Sequence, residues 1–312
     1  MEWCMVTSQE LRKGLGSLPG FVDRYGLSGG LRRWFGIVYH RSTGNITGRS
    51  VFEEDWDVCI LLDACRADEL RRQSDGYDWI QRVDDFPSVA SCTWNWLPRT
   101  LERTPEDVLQ ETAYVSANPF TDEFCDQDTF GELDEVWRYA WDEQWGTVRP
   151  RPVTDRAIHH GRNAETERLL VHYLQPHVPF LTEGAEALDR ANFSFGRESN
   201  PDAWDRVTSG ELSQRVAIDR YRETLRFVLT DVDLLLRNVD AERVVITADH
   251  GEAFGEWGIY GHPNQIDLPC LTQVPWVTTT GTDEGTHTPA SYDTQPSDVS
   301  RDAQLRALGY TE

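Results

Sequence analysis

At 312 residues the chain is long enough for one large α/β domain with a substantial buried core. Acidic residues outnumber basic ones 53 to 30, a formal charge of −23, which argues against a nucleic-acid-binding surface and against general attraction to anionic lipid. Every basic residue except Lys13 is arginine, and this acidic, lysine-poor composition is like that of a salt-adapted archaeal protein, whose carboxylates stay hydrated where salt screens their repulsion.

The chain divides by composition into a basic N-terminal arm (1–50), a catalytic body (51–277) and a polar linker with a C-terminal tail (278–312). The arm carries Arg12, Lys13, Arg24, Arg32, Arg33, Arg41 and Arg49, interleaved with Leu31, Trp34, Phe35, Ile37 and Val38. Such a segment suits peripheral contact with a membrane surface or an anionic polymer. Its many glycines favour the plainer expectation, an arm packed on the acidic body with its arginines paired. The dispersed cysteines form no C-x-x-C pair and read as buried thiols. No run approaches the roughly 18 apolar residues of a membrane span, and no signal-peptide core is evident. The expectation is a cytoplasmic protein, with membrane contact limited to the arm.

In the body, Asp57–Asp63 reads as a fully buried strand with an acidic tip, followed by a helix from Ala67. Ser88–Pro98 is a turn rich in hydroxyls and tryptophan. Thr112–Pro119 is a short strand ended by a breaker. The acidic, aromatic stretch 120–149 is expected to hold a helix over Leu133–Trp141. Residues 165–174 turn from helical to strand character and run into the loop Gln175-Pro176-His177-Val178-Pro179-Phe180. About 30 polar residues follow, of the kind that cover active sites. Val216–Val239 has apolar residues at three- and four-residue spacing, a clear helix. It leads into Val244-Val245-Ile246-Thr247-Ala248-Asp249-His250-Gly251, a strand stopping at a polar tip, with His262 beyond a glycine-rich turn. Pro275–Val277 is one more strand, and Ala303–Leu308 a closing helical turn. Strands alternating with helical segments predict a mostly parallel central sheet with helices on both faces. Its chemical tips are Asp63, the Thr93 turn, His177, and Asp249 with His250. His159, His160 and His172 are read as structural or surface residues.

The ordered motifs Leu62-Asp63-Ala64-Cys65-Arg66-Ala67-Asp68, Gln175–Phe180 and Thr247–His262 resemble the sulfatase-like branch of the alkaline phosphatase superfamily over residues 55–277. The tail Leu305-Arg306-Ala307-Leu308-Gly309-Tyr310 is similar to the chain end of many such proteins. The resemblance implies an alkaline phosphatase-like fold and a metal-dependent hydrolase of phosphate or sulfate esters. By it, Asp63, Thr93, Asp249 and His250 hold one divalent ion (Ca, Mg, Mn or Zn), Thr93 is the covalent nucleophile and His262 the acid. His177 and Arg66 contact the substrate. The Thr93 turn lacks the Pro-Ser of the T-x-P-S pattern, so Ser88, Ser91 and Cys92 stay open as the reacting residue. Cys92 is not followed by the x-P-S-R needed for maturation to formylglycine, and no pocket lysine is present, which favours phosphate over sulfate esters. The substrate is expected to be a small-molecule, lipid-linked or glycan ester. Two alternatives remain: a phosphotransferase on lipid- or glycan-linked groups, and a catalytically silent binding relative.

Overall fold

The computed structural model describes residues 29–41, 44–163, 165–181 and 202–310, with Leu18, Pro19, Val22 and Leu27. Arg12, Lys13 and Arg24 of the arm, and most of the polar loop after Phe180, lie outside the described residues.

The strands are β1 (Val58–Leu62), β2 (Asp84–Pro87), β3 (Thr112–Ser116), β4 (Glu132–Glu135), β5 (Trp141–Asp142), β6 (Thr147–Val148), β7 (Arg168–Tyr173), β8 (Ala241–Thr247), β9 (Ala253–Phe254), β10 (Tyr260–Gly261) and β11 (Gln273–Gly281). Seven build one sheet in the order β2-β11-β8-β1-β7-β3-β4. The five strands from β8 to β4 run parallel, and β11 is antiparallel to both its neighbours. β1, at the centre, is buried along its whole length between β7 and β8. A strand covered on both faces has no polar side to present, hence the unbroken run Val58-Cys59-Ile60-Leu61-Leu62.

Helices cover both faces. His172 and Tyr173 are consecutive on β7 and therefore point to opposite sides. Trp96, on the helix Thr93–Arg103, packs its ring 6.0 Å from the His172 ring. On the other side, the Tyr173 hydroxyl is bonded to Thr154 of the helix Pro150–Asn163 at 2.9 Å. That helix packs against Gln214–Leu236, whose Tyr221, Leu225, Val228, Val232 and Leu235 form the buried stripe expected from their spacing.

One expectation is corrected. Residues 133–141 are not a helix: β4 adds to the sheet edge beside β3, and a short 3-10 turn, Val136–Arg138, follows. Glu and Leu favour helix intrinsically, but here the carboxylates are used across elements. Asp134 accepts from Arg156 at 2.5 Å and Tyr139 at 2.6 Å, while Glu135 accepts from Thr121 at 2.7 Å. Tertiary pairing outweighs propensity. The segment after Thr278 is held against the body. β11 continues to Gly281, and Asp155 then receives His287 at 2.5 Å and Tyr292 at 2.6 Å. The helix Arg301–Ala307 buries Leu305, with Leu308 just beyond, in the main core. The predicted closing helix is present and firmly docked.

Candidate metal and nucleophile site

Parallel register fixes the heart of the site. Leu61 is level with His172 on β7 and with Thr247 on β8. Two residues further, Asp63 and Asp249 emerge side by side on the same face, one pleat above His172. All three side chains are fully buried. The turn after Asp63 is forced into shape: Ala64 has φ 61°, a left-handed conformation unfavourable for alanine, and its amide donates to Asp249 Oδ1 at 3.3 Å. The Tyr221 hydroxyl clamps this turn, donating to the Ala64 carbonyl at 2.8 Å and accepting from the Arg66 amide at 2.9 Å. After His250 the chain passes close beneath another loop. A Cβ on Gly251 would lie 2.1 Å from the Cys270 carbonyl oxygen, so only glycine fits.

Thr93 is the first residue of its helix and the side chain that meets these carboxylates. Its hydroxyl lies 2.7 Å from Asp249 Oδ2, 3.2 Å from His250 Nε2 and 3.5 Å from Asp63 Oδ2. The alternatives at this turn are engaged elsewhere. Ser91 donates to the Pro263 carbonyl at 3.1 Å and accepts from the Ile266 amide at 3.2 Å. Ser88 donates to the Asp249 carbonyl. Burial, with Asp249 and Asp63 nearby, pushes the Cys92 thiol up to about 11, so it is no ready thiolate.

The electrostatics are those of a site short of positive charge. Burial, then Asp249 and Glu252, raise the Asp63 carboxyl far above its ordinary value. Asp249 is also desolvated, yet His250, His172 and the Thr93 hydroxyl hold it below the usual range. Asp63 is thus driven toward its protonated form beside an ionised Asp249, a site where a cation would serve better. Two buried atoms, Asp63 Oδ1 and His172 Nε2, have no hydrogen-bond partner. His172 Nε2 stands 3.9 Å from Asp63 Oδ2 and 3.8 Å from Asp249 Oδ2, and the three residues can converge on one ion. Burial lowers the His172 pKa to about 4, keeping the imidazole neutral as ligation requires. Its Nδ1 faces the Tyr114 hydroxyl at 2.9 Å, and when Nδ1–H donates there the Nε2 lone pair is directed at the carboxylates. His250 is set the same way, its Nδ1 donating to the Gly251 carbonyl at 2.8 Å. Asn118, at the β3 tip, donates to Asp63 Oδ2 at 3.0 Å.

Four of the expected residues, Asp63, Thr93, Asp249 and His250, therefore meet at one point. His177 and His262 lie beside it, with Nε2 atoms 3.3 Å apart and the His262 ring 4.5 Å from His250. Arg66 does not turn inward. Its guanidinium is held by Asp68 at 2.9 Å, Glu256 at 2.7 Å and the Glu252 carbonyl at 2.8 Å, over the Phe254 ring. The reading of His172 as a structural or surface histidine is corrected: it lies within the carboxylate group. A histidine inside the apolar run Leu169-Leu170-Val171-His172-Tyr173-Leu174 was the available signal, since a buried ionisable group needs a reason. Glu252, fully buried and 3.0 Å from His262 Nδ1, was likewise visible only as part of a motif.

No protein-family model matches the sequence, and no curated protein does. The structure is similar to the soluble domain of lipooligosaccharide phosphoethanolamine transferase A from Neisseria meningitidis. Identity is 16%, the match covers 80% of this chain and 86% of that one, and the TM-score is 0.50. Against the integral membrane form of that protein the identity is 16% and the TM-score 0.48, covering 74% of this chain and 48% of the other, so this chain spans about half its length. A 2-O GAG sulfatase matches at 12% identity and TM-score 0.44, covering 82% of this chain and 70% of that one. The fold is thus an alkaline phosphatase-like α/β fold, as the motif order implied.

Proposed function

We propose that this protein is a metal-dependent enzyme that cleaves or transfers phosphate or sulfate esters through a covalent Thr93 intermediate. One observation carries the reading: the Thr93 hydroxyl lies 2.7 Å from Asp249, in a buried group of two carboxylates and a histidine with orphaned ligand atoms. Asp63, Asp249, His250 and Thr93 would hold one divalent ion, with His172 as a further donor. Two imidazoles among the donors favour zinc or manganese over calcium or magnesium. A bound cation would lower the pKa of the Thr93 hydroxyl and neutralise an oxygen of the transferred group.

The protein's own groups then supply the rest. Thr93, freed of its proton toward Asp249, forms a bond to phosphorus or sulfur while the bond to the leaving oxygen breaks. His262 delivers its proton to that oxygen. Neutral His262 next takes a proton from water, or from an acceptor hydroxyl, whose oxygen bonds to phosphorus or sulfur as the bond to Thr93 breaks, and Asp249 returns its proton to the threonine oxygen. Phosphate esters fit better than sulfate esters, because Thr93 and not a modified Cys92 faces the carboxylates. The test is turnover of a panel of aryl phosphate monoesters, phosphodiesters and sulfates by metal-loaded protein. Asp249→Ala that folds and keeps full turnover would sink the reading.

A second observation favours a lipid-linked ester as the substrate. The helical residues 29–41 pack on the loop carrying His262, with His40 Nδ1 donating to the Asp267 carbonyl at 3.0 Å and Arg41 Nε to Asn264 O at 3.2 Å. Leu27, Leu31, Phe35 and Tyr39, spaced by four, form an exposed apolar ridge continued by Trp257. Among the described residues no helix is long and apolar enough to cross a membrane, so this ridge would rest on a surface rather than span it.

A further inference from the structure

We propose that Tyr310 is a substrate-facing residue of this site, its phenol donating a hydrogen bond to an oxygen of the transferred group on the His177 side of Thr93. The inference rests on the ester-cleavage reading above, and it assigns the C-terminal turn a part in the chemistry.

The turn is built to place this ring. Ser300 caps the helix Arg301–Ala307, and Arg301 is held by Asp122 at 2.9 Å and Glu123 at 3.0 Å. Gly309 adopts φ 87°, and its amide donates to the Arg306 carbonyl at 3.1 Å, while the Tyr310 amide donates to Leu305 at 2.9 Å. These paired bonds form a Schellman motif, which reverses the chain sharply and fixes the next side chain. Tyr310 thereby stacks on His177, with centroids 5.6 Å apart and planes 13° from parallel. Its edge meets Phe120 at 4.7 Å, and the His262 ring is 5.9 Å away. The His262 ring in turn lies 4.5 Å from that of His250, whose Nε2 is 3.2 Å from the Thr93 hydroxyl.

The pocket has a need that this hydroxyl meets. A tetrahedral anion bound at Thr93 wants donors, yet the only lysine of the chain is Lys13, outside the described residues, and Arg66 is committed to Asp68 and Glu256. His177 donates through Nδ1 to the Val178 carbonyl at 2.5 Å, which leaves Nε2 an acceptor that offers the anion nothing while neutral. Tyr310 Oη stands 3.5 Å from that Nε2, a bond at the limit of useful length. Its O–H is therefore released to a phosphoryl or sulfuryl oxygen at little cost.

The experiment compares Tyr310→Phe, Tyr310→Ala and wild type, each loaded with the same divalent ion. It measures kcat and KM on an aryl ester and the affinity for inorganic phosphate by titration calorimetry. Loss of one donor to the transferred group should lower kcat for Tyr310→Phe by about 10²-fold. Phosphate binding should weaken as well, with the melting temperature unchanged. Wild-type kinetics and phosphate affinity in Tyr310→Phe would overturn the inference, leaving the ring a packing element. Faster turnover in either variant would overturn it too, making the ring an obstruction. Asp249→Asn, run alongside, reports on the ester-cleavage reading separately. If no ester is turned over by wild type, the phosphate titration still decides the role of Tyr310.

Discussion

His177 and His262 face each other through their Nε2 atoms at 3.3 Å, while each Nδ1 is already bound, to the Val178 carbonyl and to Glu252 Oε1. With both Nδ1 atoms acting as donors, two neutral rings would place lone pair against lone pair. One proton must lie between them. His262 is its owner. Burial disfavours charge on that ring, but Glu252, with Asp249 and Asp202, outweighs it and raises the pKa above the ordinary value. For His177 burial and the His262 charge act together, and its pKa falls far below the ordinary value. The arrangement is a protonated acid beside a neutral partner.

A pH profile follows from that assignment. An acid acts in its protonated form, so the step that needs His262 should be intact at pH 6.5 and fail as pH rises through the raised pKa. Stability has the same sign: a histidine whose folded pKa is raised contributes fully below about 6.5, its unfolded value. The contribution is lost as pH climbs through the folded value. Glu252→Gln removes the charge that raises it, so the alkaline limb of kcat should move to lower pH. A limb that stays in place in this variant would assign the acid to another group.

Metal binding should invert the effect of one substitution. In the metal-free protein Asp63 and Asp249 are buried together, and burial plus Asp249 raise the Asp63 pKa. That raised pKa means metal-free protein loses stability as pH increases from about 3.9, the unfolded value, through the folded value. Asp63→Asn should therefore raise the melting temperature of chelated protein at neutral pH. In the presence of zinc or manganese the same variant should melt below wild type, because metal stabilises only the form that binds it. His172→Ala should weaken metal affinity by about 10- to 100-fold. Calorimetry with and without chelator reads the first effect, and metal analysis after dialysis the second. Equal melting shifts for Asp63→Asn in both conditions would remove the metal from Asp63.

The Asp63, Asp249 and His250 positions were legible in the sequence because each ends or follows a buried strand, where only the tip is free to be polar. The sheet was legible for the same reason, through the apolar runs of β1, β7 and β8. His172 was not, since its position one pleat below Asp63 depends on the register of β7 against β1, and no local pattern encodes register between strands 100 residues apart, as ~100 residues of intervening chain set it. Tyr310 needed the Gly309 turn and the docking of Leu305 and Leu308 before its ring could be placed. Arg66 was drawn toward the substrate by motif position, whereas the fold supplies Glu256 as a second carboxylate beside Asp68. Residues 133–141 read as helix because edge-strand pairing with β3 leaves little periodic signal.

Thr93 should be separable from its neighbours by substitution. Thr93→Ala should reduce turnover to background, while Thr93→Ser keeps a hydroxyl 2.7 Å from Asp249 and should retain a substantial part of it. Cys92→Ala should leave turnover near wild type, because the thiol is buried and protonated, its pKa pushed up to about 11. Acid-quenched protein taken during turnover and mapped by mass spectrometry should carry one phosphoryl group on Thr93. A modification on Cys92 or Ser91 would reassign the nucleophile.

The apolar ridge predicts a lipid dependence that charge alone would not. Phe35 stacks on Tyr39 at 6.1 Å, and Tyr39 on Trp257 at 6.0 Å, so the three rings form one continuous surface beside the loop of His262. Phe35 and Trp257 are 55% and 50% exposed, an unusual outlay of aromatic surface unless something covers it. Arg33 and Arg41 turn away from the ridge to the body, donating to Thr208 and to the Asn264 carbonyl, each at 3.2 Å, and the chain as a whole carries −23. At low salt the acidic body should repel anionic vesicles. Near 0.1 M salt or above, screening within about 10 Å mutes that repulsion and leaves short-range insertion of the rings, so vesicle binding should strengthen with salt. Replacing Phe35, Tyr39 and Trp257 with serine should abolish vesicle sedimentation while leaving turnover of a soluble aryl ester unchanged. If wild type ignores vesicles at every salt concentration but self-associates with rising concentration, the ridge is covered by a second copy and the lipid-linked reading falls.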